Sequence, residues 1–161
     1  MQDRDNVRLL PVLGGGALQD AGCYCINAAR WFLGEPTTVR GIALDQQNSG
    51  VDTHCVAALE FPGGAVATLA CSFESSMIQS LTIVGSRGRI EVAEPFVQAG
   101  DAALKIIDPD GVQNVKIPFV NQYALECIAM ENLVRRGTPS LTPATDAAKT
   151  QAVIAAWKAA T

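Results

Sequence analysis

Thr53-His54-Cys55-Val56-Ala57-Ala58-Leu59-Glu60-Phe61, Pro62-Gly63-Gly64 and Ala65-Val66-Ala67-Thr68-Leu69-Ala70-Cys71-Ser72-Phe73-Glu74 decide the fold. Both flanks have the period-two, β-rich character of strands, and the link between them is a tight glycine turn. A parallel crossover needs a dozen or more residues, so this link makes a hairpin.

The same pattern continues on either side. Thr37 to Asp45, Ile78 to Val84, Arg89 to Ala93, Ala103 to Ile107 and Val112 to Ile117 read as further strands. Ser86-Arg87-Gly88 and Asp108-Pro109-Asp110-Gly111 are again hairpin links. Ahead of the strands, Leu18, Ala21, Gly22, Cys23, Ile26, Ala29, Phe32 and Leu33 fall largely at helical spacing. That helix is opened by Gly14-Gly15-Gly16 and closed by Gly34-Glu35-Pro36, where glycine suits the left-handed position and proline prevents continuation. After Pro118 helical spacing returns, from about Gln122 to Arg136 and from about Ala144 to Ala160. The order helix, strands, helices predicts an α+β fold: a largely antiparallel open sheet of about six or seven strands, with helices packed on one face. No repeat or linker divides the chain, so residues 1–161 are expected to form a single domain.

Composition narrows the function. The chain is 48% hydrophobic and 17% charged, which excludes a disordered tail. A net charge of -4 without any basic run argues against nucleic acid and anionic membrane as partners. No apolar run approaches the ~18 residues of a membrane span, and Met1-Gln2-Asp3-Arg4-Asp5 does not start like a signal peptide, so a cytoplasmic location is expected. Cys23, Cys25, Cys55, Cys71 and Cys127 are odd in number and lack paired zinc-ligand spacing, so reduced, mostly buried thiols and no metal site are expected.

The first helix carries the most informative constellation. Asp20, Tyr24, Asn27 and Trp31 are spaced four, three and four apart and line one stripe. A carboxylate one turn from a phenol can orient it or hold a substrate hydroxyl, and a tyrosine can transfer a proton. Alternatively, Asp20 serves the helix start and Tyr24 is a core aromatic. The triple glycine does not satisfy G-x-G-x-x-G, and no strand of a βαβ unit follows it, so close turning of the backbone explains it better than phosphate binding. Gly85-Ser86-Arg87-Gly88-Arg89 offers amides and guanidinium groups to an anion but lies where a hairpin turn is expected. The single histidine, His54, has no marked serine or cysteine partner and reads as structural. Asp52 is either a substrate contact or a loop carboxylate; Tyr123 and Glu126, three apart on a helix, suit a site wall or a surface contact.

The stretch from Gly14 to Tyr24 resembles the C-terminal domain of the Gfo/Idh/MocA oxidoreductase family. The resemblance continues through Leu33-Gly34-Glu35-Pro36, Gly50-Val51-Asp52, Leu59-Glu60-Phe61-Pro62-Gly63-Gly64, Cys71-Ser72-Phe73, Ile83 to Ile90 and Pro95-Phe96, then past Tyr123 and Glu126 to the last helix. The tyrosine form of the motif looks most like the branch of glucose-fructose oxidoreductase and the dihydrodiol dehydrogenases. The resemblance implies a GAPDH C-terminal-like sheet domain from an enzyme that uses NAD or NADP to oxidise or reduce a sugar, polyol or diol. It implies Tyr24 as acid/base, Asp20 as its positioning or tuning partner, and Asn27, Asp52 and Tyr123 as substrate contacts. It also implies a homo-oligomer formed through the open sheet face. The family's dinucleotide-binding domain and its Glu-Lys-Pro motif are not in this sequence, and the resemblance begins inside the C-terminal domain, so an incomplete sheet edge is expected. Alone, such a substrate-binding and oligomerisation domain should not turn over. The alternative is a stand-alone, non-catalytic small-molecule-binding or assembly module; a third reading is a truncated piece without a role of its own.

Overall fold

The computed structural model describes residues 6–46 and 48–160. The opening residues 1–5, which carry the signal-peptide argument, and Gln47 lie outside them. The chain forms two compact units, Met1–Ser75 with Thr142–Thr161, and Ser76–Leu141.

In the first unit, helix α1 (Cys23–Leu33) precedes strands β1 (Thr38–Leu44), β2 (His54–Glu60) and β3 (Val66–Ser72), and helix α3 (Ala144–Ala160) completes it. The strands form an antiparallel sheet in the order β1-β2-β3. The hairpin read from Pro62-Gly63-Gly64 is present: Phe61 N–H donates to Ala65 O at 2.9 Å, and Gly63 and Gly64 both adopt φ of 83°. Register puts Val39, Gly41 and Ala43 opposite Leu59, Ala57 and Cys55, which in turn oppose Ala67, Leu69 and Cys71. This is the face packed against Leu18, Ile26, Val153, Ile154 and Trp157 in the core. Gly41 lacks a side chain because Trp157 fills its place; a β-carbon there would lie 2.5 Å from Trp157 Nε1. The alternate residues of the sheet face away, and Ile42, Val56 and Val66 are each more than half exposed.

The second unit contains β4 (Leu81–Gly85), β5 (Gly88–Val92), β6 (Ala102–Asp108) and β7 (Gly111–Ile117), an antiparallel sheet in that order, and helix α2 (Gln122–Arg136). Two-residue loops, Ser86-Arg87 and Pro109-Asp110, join its outer pairs. The glycine-arginine segment is therefore a hairpin turn. Asp108 Oδ1 shapes the second turn by accepting from the N–H groups of Asp110 and Gly111 at 3.0 and 3.1 Å. Asn121 caps α2 through Oδ1, and Gly137 ends it at a φ of 65°.

The α+β class, the seven antiparallel strands and the three helices agree with the reading from sequence. The ladder is divided, however, into sheets of three and four strands. After β3 the side chain of Ser72 accepts from the N–H groups of Glu74 and Ser75, turning the backbone out of extended geometry. Residues 73–80 thus carry no strand, although their composition extended the expected strands into them.

Candidate active site

The polar stripe is mounted on a helix anchored by its opposite face. Leu18, Gly22 and Ile26 are buried, and Gly22 is small because Leu18 and the Cys71 thiol crowd it. The helix does not begin as a regular α-helix: Leu18–Gly22 is a π-helical turn that leads into α1. Asp20 lies in that wider turn and Tyr24 in the α-helix, so the angular offset between them differs from that of a uniform 3.6-residue helix. Tyr24 is 51% exposed, which removes the core-aromatic alternative.

Asp20 does not cap the helix. Its Oδ2 accepts from Arg8 Nε at 2.9 Å. The helix start is served by Asp52, whose Oδ2 accepts from Leu18 N–H at 2.6 Å and from the Cys55 thiol at 3.0 Å, while its backbone carbonyl accepts from Ala17 N–H at 2.8 Å. A loop carboxylate thus ties β2 to the head of the helix, and it favours the positive end of the helix dipole.

Asn27 is half-buried and donates through Nδ2 to Asp146 Oδ2 at 2.8 Å. Asp146 also accepts from Arg30, a buried guanidinium held by Glu35 through two bonds of 2.8 and 2.9 Å and by Thr150 Oγ1 at 2.6 Å. This network fixes α1 to α3 and so sets the position of the stripe. The Arg30 hydrogen bonds hold the Glu35 carboxyl down at about 2, against a smaller opposing effect of burial, with Lys149 assisting. Asp146 is lowered too, chiefly by Arg30. Because the folded value of Glu35 lies below its ordinary 4.5, its stabilisation is complete above that pH and is lost as pH falls toward about 2. Glu35 is half-exposed, so screening trims the effect to about 1 kcal/mol. Glu35→Gln should flatten the acid limb of the denaturation midpoint between about pH 5 and about pH 2.5, and an unchanged limb would remove Glu35 from that transition.

The remaining candidates are dispersed. Tyr123 lies in the first turn of α2, in the second unit, and is 66% exposed. His54 begins β2 on the same side as Val56, with Nδ1 3.5 Å from Glu74 Oε2. All five cysteines are free; Cys55 is buried, Cys23, Cys25 and Cys71 are half-buried, and Cys127 is exposed on α2. Burial raises the Cys25 thiol to about 11, and hydrogen bonding to Cys71 heads the causes that raise Cys55, so these thiols stay protonated. A cavity of about 740 Å³ in the second unit lies over Ile83, Ile90 and Ile106 and is bordered by the Gly85-Ser86-Arg87-Gly88-Arg89 turn; it holds none of Asp20, Tyr24, Asn27, Asp52 or Tyr123. Sequence reasoning missed Arg8 and Asp146, which lie 12 residues from Asp20 and 119 from Asn27, beyond any local spacing rule.

A glycine loop leading into a helix beside a half-covered antiparallel sheet defines an α+β domain. Residues 1–91 match the GFO/IDH/MocA C-terminal domain, more than half of the 161-residue chain, and the chain belongs to that family. It is 38% identical over 92 residues to the D-xylose 1-dehydrogenase (NADP(+)) 2 of Haloferax volcanii, covering 57% of this chain and 28% of that protein. It is 35% identical over 136 residues to the dTDP-3,4-didehydro-2,6-dideoxy-alpha-D-glucose 3-reductase of Saccharopolyspora spinosa, covering 83% of this chain and 41% of that one. Among solved structures, the aldose-aldose oxidoreductase of Caulobacter crescentus, complexed with glycerol, has the same fold, with a TM-score of 0.85 and 24% identity over all of this chain and 51% of its own. The chain therefore spans less than half the length of these curated relatives and about half of the solved one.

Proposed function

We propose that this chain is the substrate-binding and oligomerisation domain of an NAD(P)-dependent oxidoreductase that acts on a sugar, polyol or diol. The carrying observation is the half-exposed Tyr24 phenol one turn beyond an ion-paired Asp20, on a helix whose other face is locked into the core. In this reading Tyr24 moves the proton of the reacting hydroxyl or carbonyl oxygen, and Asp20 orients the substrate or the phenol. Asn27, steadied by Asp146, keeps its carbonyl oxygen for a substrate hydroxyl. Asp52 contributes from beneath by holding the helix start.

NAD or NADP is the cofactor of this reading; NADP appears in the name of the Haloferax relative. The Gly14-Gly15-Gly16 loop does not fit a dinucleotide. Gly14, Gly15 and Gly16 N–H groups already donate to Pro11, Leu10 and Arg8 carbonyls, and the Ala17 and Leu18 amides are spent on Asp52, so this glycine loop has no free cradle for a pyrophosphate. The cofactor is assigned no residue here. The exposed Ile42, Val56 and Val66 support association of two copies through the open sheet face, because exposed apolar area of this kind marks contact surfaces. No described helix is long and apolar enough to cross a membrane, which with the free thiols supports a cytoplasmic setting.

Thermal unfolding with and without D-xylose, the sugar named in the Haloferax relative, tests the substrate half. A ligand at about 100 times its Kd adds about 2.7 kcal/mol. A saturable rise in midpoint is expected; no rise with D-xylose or any aldose, polyol or diol in a panel would contradict substrate binding by this domain.

A further inference from the structure

The triple glycine, unsuited to phosphate, shapes a different feature. Gly16 N–H donates to the Arg8 carbonyl at 2.9 Å, and a β-carbon on Gly15 would overlap that same carbonyl. Gly16 adopts a φ of 121°, and a β-carbon there would lie 2.5 Å from Asp52 Oδ1. Gly15 is thus required for the backbone of Arg8 to lie against the head of the helix, and Gly16 for the turn that passes Asp52. Asn6 Oδ1 adds a third tie by accepting from Arg8 N–H at 3.0 Å. The result is that the Arg8 side chain meets Asp20 Oδ2 at 2.9 Å, with the two side chains 47% and 42% exposed.

A pair this exposed returns little stability, so its fixed placement calls for another use. The contact is single: it engages Nε of the guanidinium and one carboxylate oxygen. Among the described residues, the Arg8 Nη groups and Asp20 Oδ1 have no protein partner. They are charged donors beside a charged acceptor, one turn from Tyr24. Adjacent hydroxyl groups need this combination, since one oxygen can accept while its neighbour donates.

We propose that Arg8 and Asp20 form a fork that recognises two neighbouring hydroxyls of a polyhydroxylated ligand, with an Arg8 Nη–H donating to one oxygen and Asp20 Oδ1 accepting from the next hydroxyl. This rests on the reading of the Tyr24 face as the substrate site, and it makes Arg8 a specificity-determining residue. Ligands with a vicinal diol are selected over those of equal size without one, because only they accept from Arg8 and donate to Asp20 at once.

The test is calorimetric titration of the full chain with D-xylose and with tetrahydropyran, a six-membered ring without hydroxyls. Wild type should bind D-xylose and not tetrahydropyran. Arg8→Gln should weaken D-xylose binding about tenfold or more, with an unfolding midpoint close to wild type. Arg8→Lys should not restore it, because an ammonium lacks the planar array of donors. Asp20→Asn should also weaken binding, and the double variant should be less affected than the two single losses combined. If wild type binds D-xylose and Arg8→Gln binds it equally well, the fork is overturned while the site reading stands. If the folded wild type binds neither D-xylose nor any aldose, polyol or diol of a panel, the site reading fails and the fork with it.

Discussion

Replacing Tyr24 with Phe should lower turnover by about 10²- to 10⁴-fold, the usual share of a positioned acid/base group, in an assembly where a dinucleotide-binding domain is supplied. The substitution removes one oxygen and keeps the ring. Tyr24 is 51% exposed and the ring is kept, so the variant should still unfold cooperatively. If the lost group acts only in the transition state, kcat should fall and KM should change little. Unchanged turnover would remove Tyr24 from the mechanism.

The largest expected effect on stability is that of Trp157→Ala, at about 3–5 kcal/mol, a large share of the roughly 5–15 kcal/mol of a typical domain. Trp157 is fully buried where α3 meets the sheet, and Gly41 is open specifically to receive it. Gly41→Ala should itself cost about 1–3 kcal/mol by overpacking. A β-carbon at Gly41 would strike Cε2 and Nε1, atoms of the five-membered ring, at 2.5 Å. Gly41→Ala should therefore cost less in a Trp157→Ala background, where the indole is gone. Trp157→Phe should also cost less than Trp157→Ala, because phenylalanine keeps an aromatic ring in the core and leaves a smaller cavity. Denaturant midpoints of the four variants check these signs; strictly additive losses for Gly41→Ala and Trp157→Ala would contradict the contact.

Local chemistry made the secondary structure legible. Strand β2 spans His54–Glu60, within one residue of its expected limits, because alternation along the strand and glycine at the turn are both recorded in neighbouring residues. The division into two sheets was not legible, since alternation tells which side of a strand is buried but not whether the next strand pairs with it. The π-helical turn at Leu18–Gly22 escaped for a related reason: apolar spacing averages over a single wide turn. Of the candidate site, Asp20, Tyr24 and Asn27 could be singled out because a helix makes near neighbours of them. The ties that position them, Arg8 to Asp20, Asp52 to Leu18 and Asp146 to Asn27, span 12, 34 and 119 residues and are products of tertiary folding.

The central claim is that this domain supplies the substrate side of a nicotinamide-dependent reaction. Its most direct test joins the chain to a dinucleotide-binding domain of the same family and follows nicotinamide reduction with NADP and D-xylose. The account predicts reduction by the joined protein, none by either domain alone, and loss of the signal with Tyr24→Phe. A folded, cofactor-bound pair that reduces no nicotinamide with any aldose, polyol or diol, or that does so equally well with Tyr24→Phe, would contradict it.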